Sequence, residues 1–317
     1  MEQQLLQWGL ANAPPNSLPA LNAEIQAGKR PDLNPEMLKH IMGESDAEKI
    51  MRCFKVLKRS LDEGEPASER EVTWESLEML VADLDNANDL ENMKLWPVLI
   101  EFLQAKDDLD KFNALWICGT AIQNNEKSQN HFLAQNPLPL LNSIVLDNPS
   151  AETRSKAIYC ISGCLKHNEK TATQWLDSEG VEILHRGLTD PSLVMRRRTS
   201  WLLITLLTQS TSTATLVQNL RKPPSPLHDL LSSLSPSTSI PTGPDGDSEG
   251  VDAIYRENAL KAILMIVGSE GEGNEEALNE EEKKKVSQAL KEMRETEKVE
   301  WEDLGLASSE GEKLLRL

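Results

Sequence analysis

The chain is predicted to be an all-α armadillo-repeat α-solenoid with helical caps, and a long internal register carries that prediction. A helical block ending in polar residues, Ala114 to Asn125, lines up with a second, Ala157 to Asn168, 43 residues further on. The register holds upstream, where Leu138, Leu140, Leu141 and Val145 precede the second block as Val181, Ile183, Leu184 and Leu188 precede a third at Arg197 to Leu207. Trp96, Val98, Leu99 and Phe102 extend it one repeat towards the N-terminus. A helical unit of this length cannot bury its apolar face alone and must stack on copies of itself, as armadillo and HEAT arrays do. Such arrays usually work by gripping another protein.

Taken in order, residues 1–35 open with Leu5-Leu6-Gln7-Trp8 and run on through Pro14, Pro15, Pro19 and Pro31, which reads as a short amphipathic start followed by a flexible segment. Residues 36–221 read as capping helices and repeats. Ser45-Asp46-Ala47-Glu48 is a capping box ahead of Ile50, Met51, Phe54 and Leu57, and Ser68 to Glu71 gives the same signal before Leu77, Leu80, Val81 and Leu84. Polar turns at Asp147 to Pro149 and Thr189 to Pro191 separate helices, because a residue before proline resists the helical region. Strand signals are absent. Residues 222–250, rich in Pro, Ser, Thr, Gly and Asp, read as a low-complexity insertion, with Ser235 to Gly250 expected to be mobile. Residues 251–317 then supply a final repeat through Ala259, Ala262, Ile263, Ile266 and Val267, and a capping helix starting within Asn279 to Lys285. The tail after Trp301 is expected to fray.

With 39% hydrophobic and 26% charged residues, the composition suits an elongated protein with much surface. The net charge of −18 repels phosphate backbones and anionic membranes, which disfavours nucleic acid and membrane partners. Cys53, Cys118, Cys160 and Cys164 sit in helical apolar runs without zinc or disulfide spacing, so reduced core thiols are expected. Cys160 and Cys164 share a helix face, but two ligands on one turn with no flanking histidine cluster do not make a metal site. The N-terminus lacks a signal-peptide pattern and no apolar run approaches a membrane span. A cytoplasmic monomer is the expectation.

No catalytic constellation is found. His40, His131, His167, His185 and His228 are scattered without ligand spacing, Ser162-Gly163 lacks the glycine that precedes a nucleophile elbow, and no Walker or dinucleotide loop occurs. No catalytic residue, metal or cofactor is therefore assigned, and the chain reads as a non-enzyme.

Arg196-Arg197-Arg198 is the compact basic cluster. It is either a solvated helix start or a contact site, since positive charge near a helix N-terminus opposes the macrodipole. In armadillo units the last helix of each repeat lines the binding face, which makes Gln123, Asn124, Asn125, His167 and Arg198 contact candidates. Trp116 and Trp201 fall on the same helices but are followed by Thr120 and Thr205 where a basic-peptide groove would place asparagine. Both tryptophans are expected in the core.

The run Leu84 to Asn92, containing Asn86-Ala87-Asn88, followed one repeat later by Gly119 to Asn124, resembles the armadillo-type nucleotide-exchange factors of the seventy-kilodalton heat-shock chaperones. That is the family of fungal Fes-one and animal heat-shock-chaperone-binding protein one. The likeness covers about Ser68 to Gln209, and Leu5 to Trp8 resembles the fungal branch. It implies a stack of armadillo repeats whose concave face embraces one lobe of the chaperone's ATPase domain, loosens the other and speeds ADP release. The partner-binding residues it implies, with the helix-end candidates, are Asn86, Ala87, Asn88, Gly119, Gln123, Asn124, His167, Arg197 and Arg198. Ala87, placed in a solvent-facing turn, would let the partner approach closely, and Arg198 would offer a fork to a carboxylate. Transport of basic peptides and plain assembly scaffolding are the alternatives.

Overall fold

The computed structural model describes residues 43–63, 67–235, 252–268 and 277–317, together with Ala27. The N-terminal segment 1–35 falls outside them apart from Ala27, as do residues 236–250 of the expected insertion. All regular structure among the described residues is helical. Two compact units divide between Leu80 and Val81.

In the first unit, α1 (Asp46–Glu63) starts at the expected capping box. The Ser45 amide donates to Glu48 Oε2 at 3.0 Å, and the Glu48 amide donates to Ser45 Oγ at 3.3 Å. α2 (Ala67–Val81) already contains Ser68, so that serine lies in the first turn rather than ahead of it. Ile50, Phe54 and Leu57 on α1 and Trp74 and Leu77 on α2 are buried, each at helical spacing within its own element.

The second unit is built from three-helix repeats. The first comprises α3 (Leu84–Asn92), α4 (Trp96–Leu103) and α5 (Asp108–Ile122). The second comprises α6 (Glu126–Leu133), α7 (Leu138–Asp147) and α8 (Ala151–Leu165). In the third, α9 (Glu169–Trp175) runs through a π-helical turn, Leu176–Gly180, into α10 (Val181–Leu188) and α11 (Leu193–Gln209). In the fourth, α12 (Thr213–Arg221) and α13 (Pro226–Ser232) precede α14 (Ala253–Gly268).

Local chemistry sets the helix starts. Asp83, Asp107, Asn125, Ser150, Asn168 and Ser212 each accept a hydrogen bond from an amide in the following first turn. These side chains occupy donors that the helix itself leaves unpaired. Pro97, Pro139 and Pro226 stand in the first turns of α4, α7 and α13, where no intrahelical donor is lost.

The third helices α5, α8, α11 and α14 pack in sequence order, and the second helices α7, α10 and α13 form a parallel row behind them. Fully buried Leu99, Phe102, Leu115, Cys118, Ile158, Ile161, Leu202 and Ile263 fill the layer between. The cysteines are buried free thiols, and burial pushes Cys160 and Cys164 well above the usual thiol range.

Two expectations require correction here. α13 folds within residues 222–235, because Leu227, Leu230 and Leu231 give that stretch an apolar face despite its prolines and serines. The segment after Trp301 does not fray. A 3-10 turn at Glu302–Leu304 and α16 (Ser308–Leu315) follow α15 (Glu280–Glu292), and Leu304, Leu306 and Leu314 are buried. α16 packs on α15, and Trp301 itself is buried beneath Arg294, whose guanidinium carbon is 4.5 Å from the ring centroid.

Candidate functional site

The row of third helices leaves one stripe of each helix facing outward. On α5 the core positions are taken by Ala114, Leu115, Cys118, Ala121 and Ile122, so Trp116 lies on the opposite side, 36% exposed. Trp201 on α11 is 55% exposed. The core assignment of both tryptophans is thus overturned: each helix has two apolar stripes, and the core needs only one.

Tyr159 stands between them at the matching position of α8 and is half-buried. Phe112 and Trp116, one turn apart, meet edge to face at 6.0 Å. Lys156 reaches from α8 to place Nζ 3.6 Å from the Trp116 ring centroid, 5.2 Å from that of Phe112 and 5.8 Å from that of Tyr159. From α11, the Arg198 guanidinium carbon lies 5.3 Å from the Tyr159 centroid. An exposed cation–ring contact contributes about 0.5–1 kcal/mol, so this alternation of rings and cations holds several rotamers in place before any partner arrives.

Gly119 permits the arrangement. A Cβ there would sit 2.4 Å from the Tyr159 ring carbons, so Gly119 lets that ring lie against α5. Gly119 is buried and acts through Tyr159 rather than by direct contact.

At the C-terminal ends of the long helices, a corner motif recurs. Gln123 caps α5 with its side chain half-buried, Asn124 follows with φ 50°, and Asn125 caps α6. Lys166, His167 with φ 56° and Asn168 repeat the pattern one unit later. Left-handed backbone favours asparagine and histidine among residues with a Cβ, which accounts for the residue types at Asn124 and His167. The corners are bonded to one another. Lys166 Nζ donates to Asn124 Oδ1 at 2.8 Å, and the His167 amide donates to Gln209 Oε1 at 2.8 Å. Thr211 donates through its amide and hydroxyl to Glu169, and those two bonds lower the Glu169 pKa. The His167 ring and the Asn124 side chain are exposed.

The basic cluster separates into three roles. Arg196 is fully buried, with Nη1 donating to the carbonyls of Asp190 and Pro191 at 2.7 Å each. This contact offsets the cost of positive charge near the start of α11. Arg197 binds Asp252, which caps the first turn of α14. Burial would raise the Asp252 pKa, but the Arg197 and Tyr255 hydrogen bonds bring it below the usual aspartate value. Arg198 is the member that faces the aromatic row.

Asn86-Ala87-Asn88 is not the expected turn. It lies inside α3, and Ala87 is 3% exposed. Ser128 Oγ on α6 lies 3.1 Å from the Ala87 carbonyl and 3.3 Å from Asn88 Oδ1, within donating distance of both. Ala87 is small because α6 crosses there, so it is a joint between repeats and not a solvent-facing approach point. Asn86 and Asn88 keep part of their surface. Sequence reasoning missed Phe112, Lys156 and Tyr159, although the aromatic register from Trp116 through Tyr159 to Trp201 was there to find. No group of three or more potential metal ligands occurs among the described residues.

A stack of three-helix repeats with a prearranged outward row on its third helices defines an armadillo-type protein-binding module. A designed armadillo repeat protein in complex with a (KR)4 peptide shares this fold at TM-score 0.59 and 15% identity, over 81% of this chain and 96% of that one. The model for nucleotide exchange factor Fes1 matches residues 3–90. The Hsp70 nucleotide exchange factor FES1 of Mycosarcoma maydis is 33% identical over 83% of this chain and 82% of its own length. Its namesake from Saccharomyces cerevisiae is 31% identical over 69% of this chain and 73% of its own. The chain belongs to the Fes1 family of nucleotide exchange factors.

Proposed function

We propose that this chain is a co-chaperone that binds the ATPase domain of a cytosolic 70 kDa heat-shock protein through its long-helix face and accelerates ADP release. Family membership is the observation that carries this reading, since the relatives it resembles are named Hsp70 nucleotide exchange factors. The prearranged aromatic and cationic row supports the choice of face, because a rigid contact surface loses little conformational entropy on binding. Direct contacts are assigned to Gln123, Asn124, His167 and Arg198 along that face, with Asn86 and Asn88 at its N-terminal margin. Gly119 and Arg197 act as positioning residues. The protein works as a cytoplasmic, cofactor-free, non-catalytic monomer without nucleic acid or membrane partners.

The physical mechanism is linkage. A protein that grips the open, nucleotide-poor ATPase domain more tightly than the closed one weakens ADP by the same factor, and a 100-fold effect needs about 2.7 kcal/mol of coupling. Release of fluorescent ADP from a purified 70 kDa chaperone, with and without the chain, tests the reading. Acceleration in proportion to the chain's occupancy supports it, and an unchanged release rate at saturating chain rejects it.

A further inference from the structure

Between α1 and α2 of the first unit lies a groove of about 430 Å³, lined by Cys53 and Val56 of α1 and by Val72 and Met79 of α2. Cys53 is buried and Val56 half-buried, so they lie deepest. Val72 is 63% exposed and Met79 76%, while Trp74 and Leu77 already fill the inner face of the same helix. Seven residues apart, Val72 and Met79 share one stripe of α2, and that stripe borders the groove. An apolar stripe beside an apolar groove marks a binding site.

The polar side chains around the groove fix the chemistry of its occupant. Lys49 pairs with Asp46 at 2.8 Å and Arg52 with Glu44 at 3.0 Å. Thr73 and Ser76 donate their hydroxyls to the carbonyls of Glu69 and Val72, at 2.8 Å each. A polar or anionic occupant would compete with these bonds, whereas an apolar one leaves them whole. Each helix also brings a sulfur atom to the groove, from Cys53 and from Met79, and sulfur makes favourable contacts with aromatic rings.

The Glu44 to Arg52 pair also sets where the preceding chain departs. Glu44 stands just ahead of α1, and its bond to a groove-lining arginine holds the chain entry beside the groove. Trp8 is the one aromatic residue in the stretch 1–42, and Leu5, Leu6 and Leu10 surround it in sequence. The family model that matches residues 3–90 contains both that run and the two helices of the groove.

We infer that Leu5-Leu6-Gln7-Trp8-Gly9-Leu10 docks in the α1–α2 groove of its own chain, with the Trp8 ring against Cys53 and Met79. Residues 11–43 are long enough to bring the run back from Glu44 to any point of the helix pair. Being tethered, the run holds the groove at an effective concentration that a free competitor has to match. This goes beyond the exchange-factor reading, and its test needs no chaperone.

The test uses the full chain and maleimide, with mass spectrometry locating the label. Cys53 is expected to react slowly in the native chain. Replacing Leu5, Leu6 and Trp8 together by serine should raise its rate by at least about fivefold, because the groove floor then opens to solvent. Cys118, Cys160 and Cys164 should stay unlabelled, which shows that the repeats remain folded. A peptide of residues 1–12 added to the serine variant should restore the slow rate. Val72→Lys with Met79→Lys, on exposed positions, should raise the Cys53 rate in the same way, and the peptide should not lower it.

Benzoylphenylalanine in place of Trp8 then identifies the occupant. Irradiation of a mixture of isotopically light and heavy chains should give crosslinks to α1 or α2 within one chain. An unchanged Cys53 rate in either variant, or no effect of the peptide on the serine variant, overturns the inference. Crosslinks that join light to heavy chains give the groove to a second copy, and crosslinks outside α1 and α2 place the run elsewhere; either result overturns it as well.

Discussion

Gly119 and Tyr159 occupy one another's space: the Tyr159 ring carbons Cδ1 and Cε1 lie 2.4 Å from where a Gly119 Cβ would be. A methyl group on α5 would therefore have to push the ring outward, and with it the Lys156 and Arg198 side chains that rest against it. Gly119→Ala improves helix propensity by about 0.5–1 kcal/mol, yet overpacking costs about 1–3 kcal/mol. The expected net effect is a loss of stability in urea unfolding, reversed by combining Gly119→Ala with Tyr159→Ala. An additive double variant would show that the ring and the glycine are not coupled.

Ala87 and Arg198 should respond to substitution in opposite ways. Ala87→Arg forces a guanidinium into the joint between α3 and α6, and burying an unpaired charge costs several kcal/mol. The variant should lose several degrees of melting temperature. Arg198→Ala should melt near native but bind the chaperone ATPase domain more weakly, by roughly 2 kcal/mol if its contact is desolvated at the interface. Native-like melting of Ala87→Arg would contradict the packing at that joint.

Acid sensitivity follows from Asp252 and Glu282. Burial acts to raise both pKa values, but hydrogen bonds from Arg197 and Arg221 and from backbone amides bring both below their ordinary values. A carboxylate with a depressed folded pKa stabilises fully above its unfolded value, about 3.9 for aspartate and 4.3 for glutamate. That contribution is lost as pH falls through the lower folded value. Arg197→Met together with Arg221→Met should shift the acid-unfolding midpoint, followed by circular dichroism, towards higher pH. An unchanged midpoint would show that these pairs do not contribute.

Thiol chemistry gives a separate check on the core. Cys118, Cys160 and Cys164 are 0% exposed, and burial raises the pKa of the latter two. Maleimide should modify them only on the timescale of unfolding, because the reactive thiolate is both scarce and inaccessible. Rapid labelling of native protein at Cys160 would contradict the packing of α8 against α5.

The fold was legible because the repeat is a one-dimensional signal. Leu138 to Val145 and Val181 to Leu188 align in the primary chain, and the second helices they form take equivalent places in the stack. The candidate site was less legible, for a geometric reason. Trp116 and Leu115 are chain neighbours, and periodicity shows that a helix has an apolar stripe without showing which of two stripes meets the core. Only packing against α8 decides it. Ala87 misled for a related reason: asparagine on both sides suggests a turn, but the Asp83 cap commits those residues to a helix. α13 and α16 were obscured by composition, since a short helix with few apolar residues can still be held by its neighbours.

The bonds joining one corner to the next have a consequence for how the molecule comes apart. Thr211 leans on Glu169, His167 on Gln209 and Lys166 on Asn124, so among the described residues each of these corners is bonded to an adjacent one. Cooperativity in such an array is nearest-neighbour, and a broken link divides the array into segments that open independently. Gln209→Ala together with Thr211→Val would remove the side-chain bonds of one such link, and the C-terminal repeat would then exchange its amide hydrogens faster than the repeats before it. A partner spanning several repeats would experience that break as a loss of leverage, even where every residue it touches is unchanged.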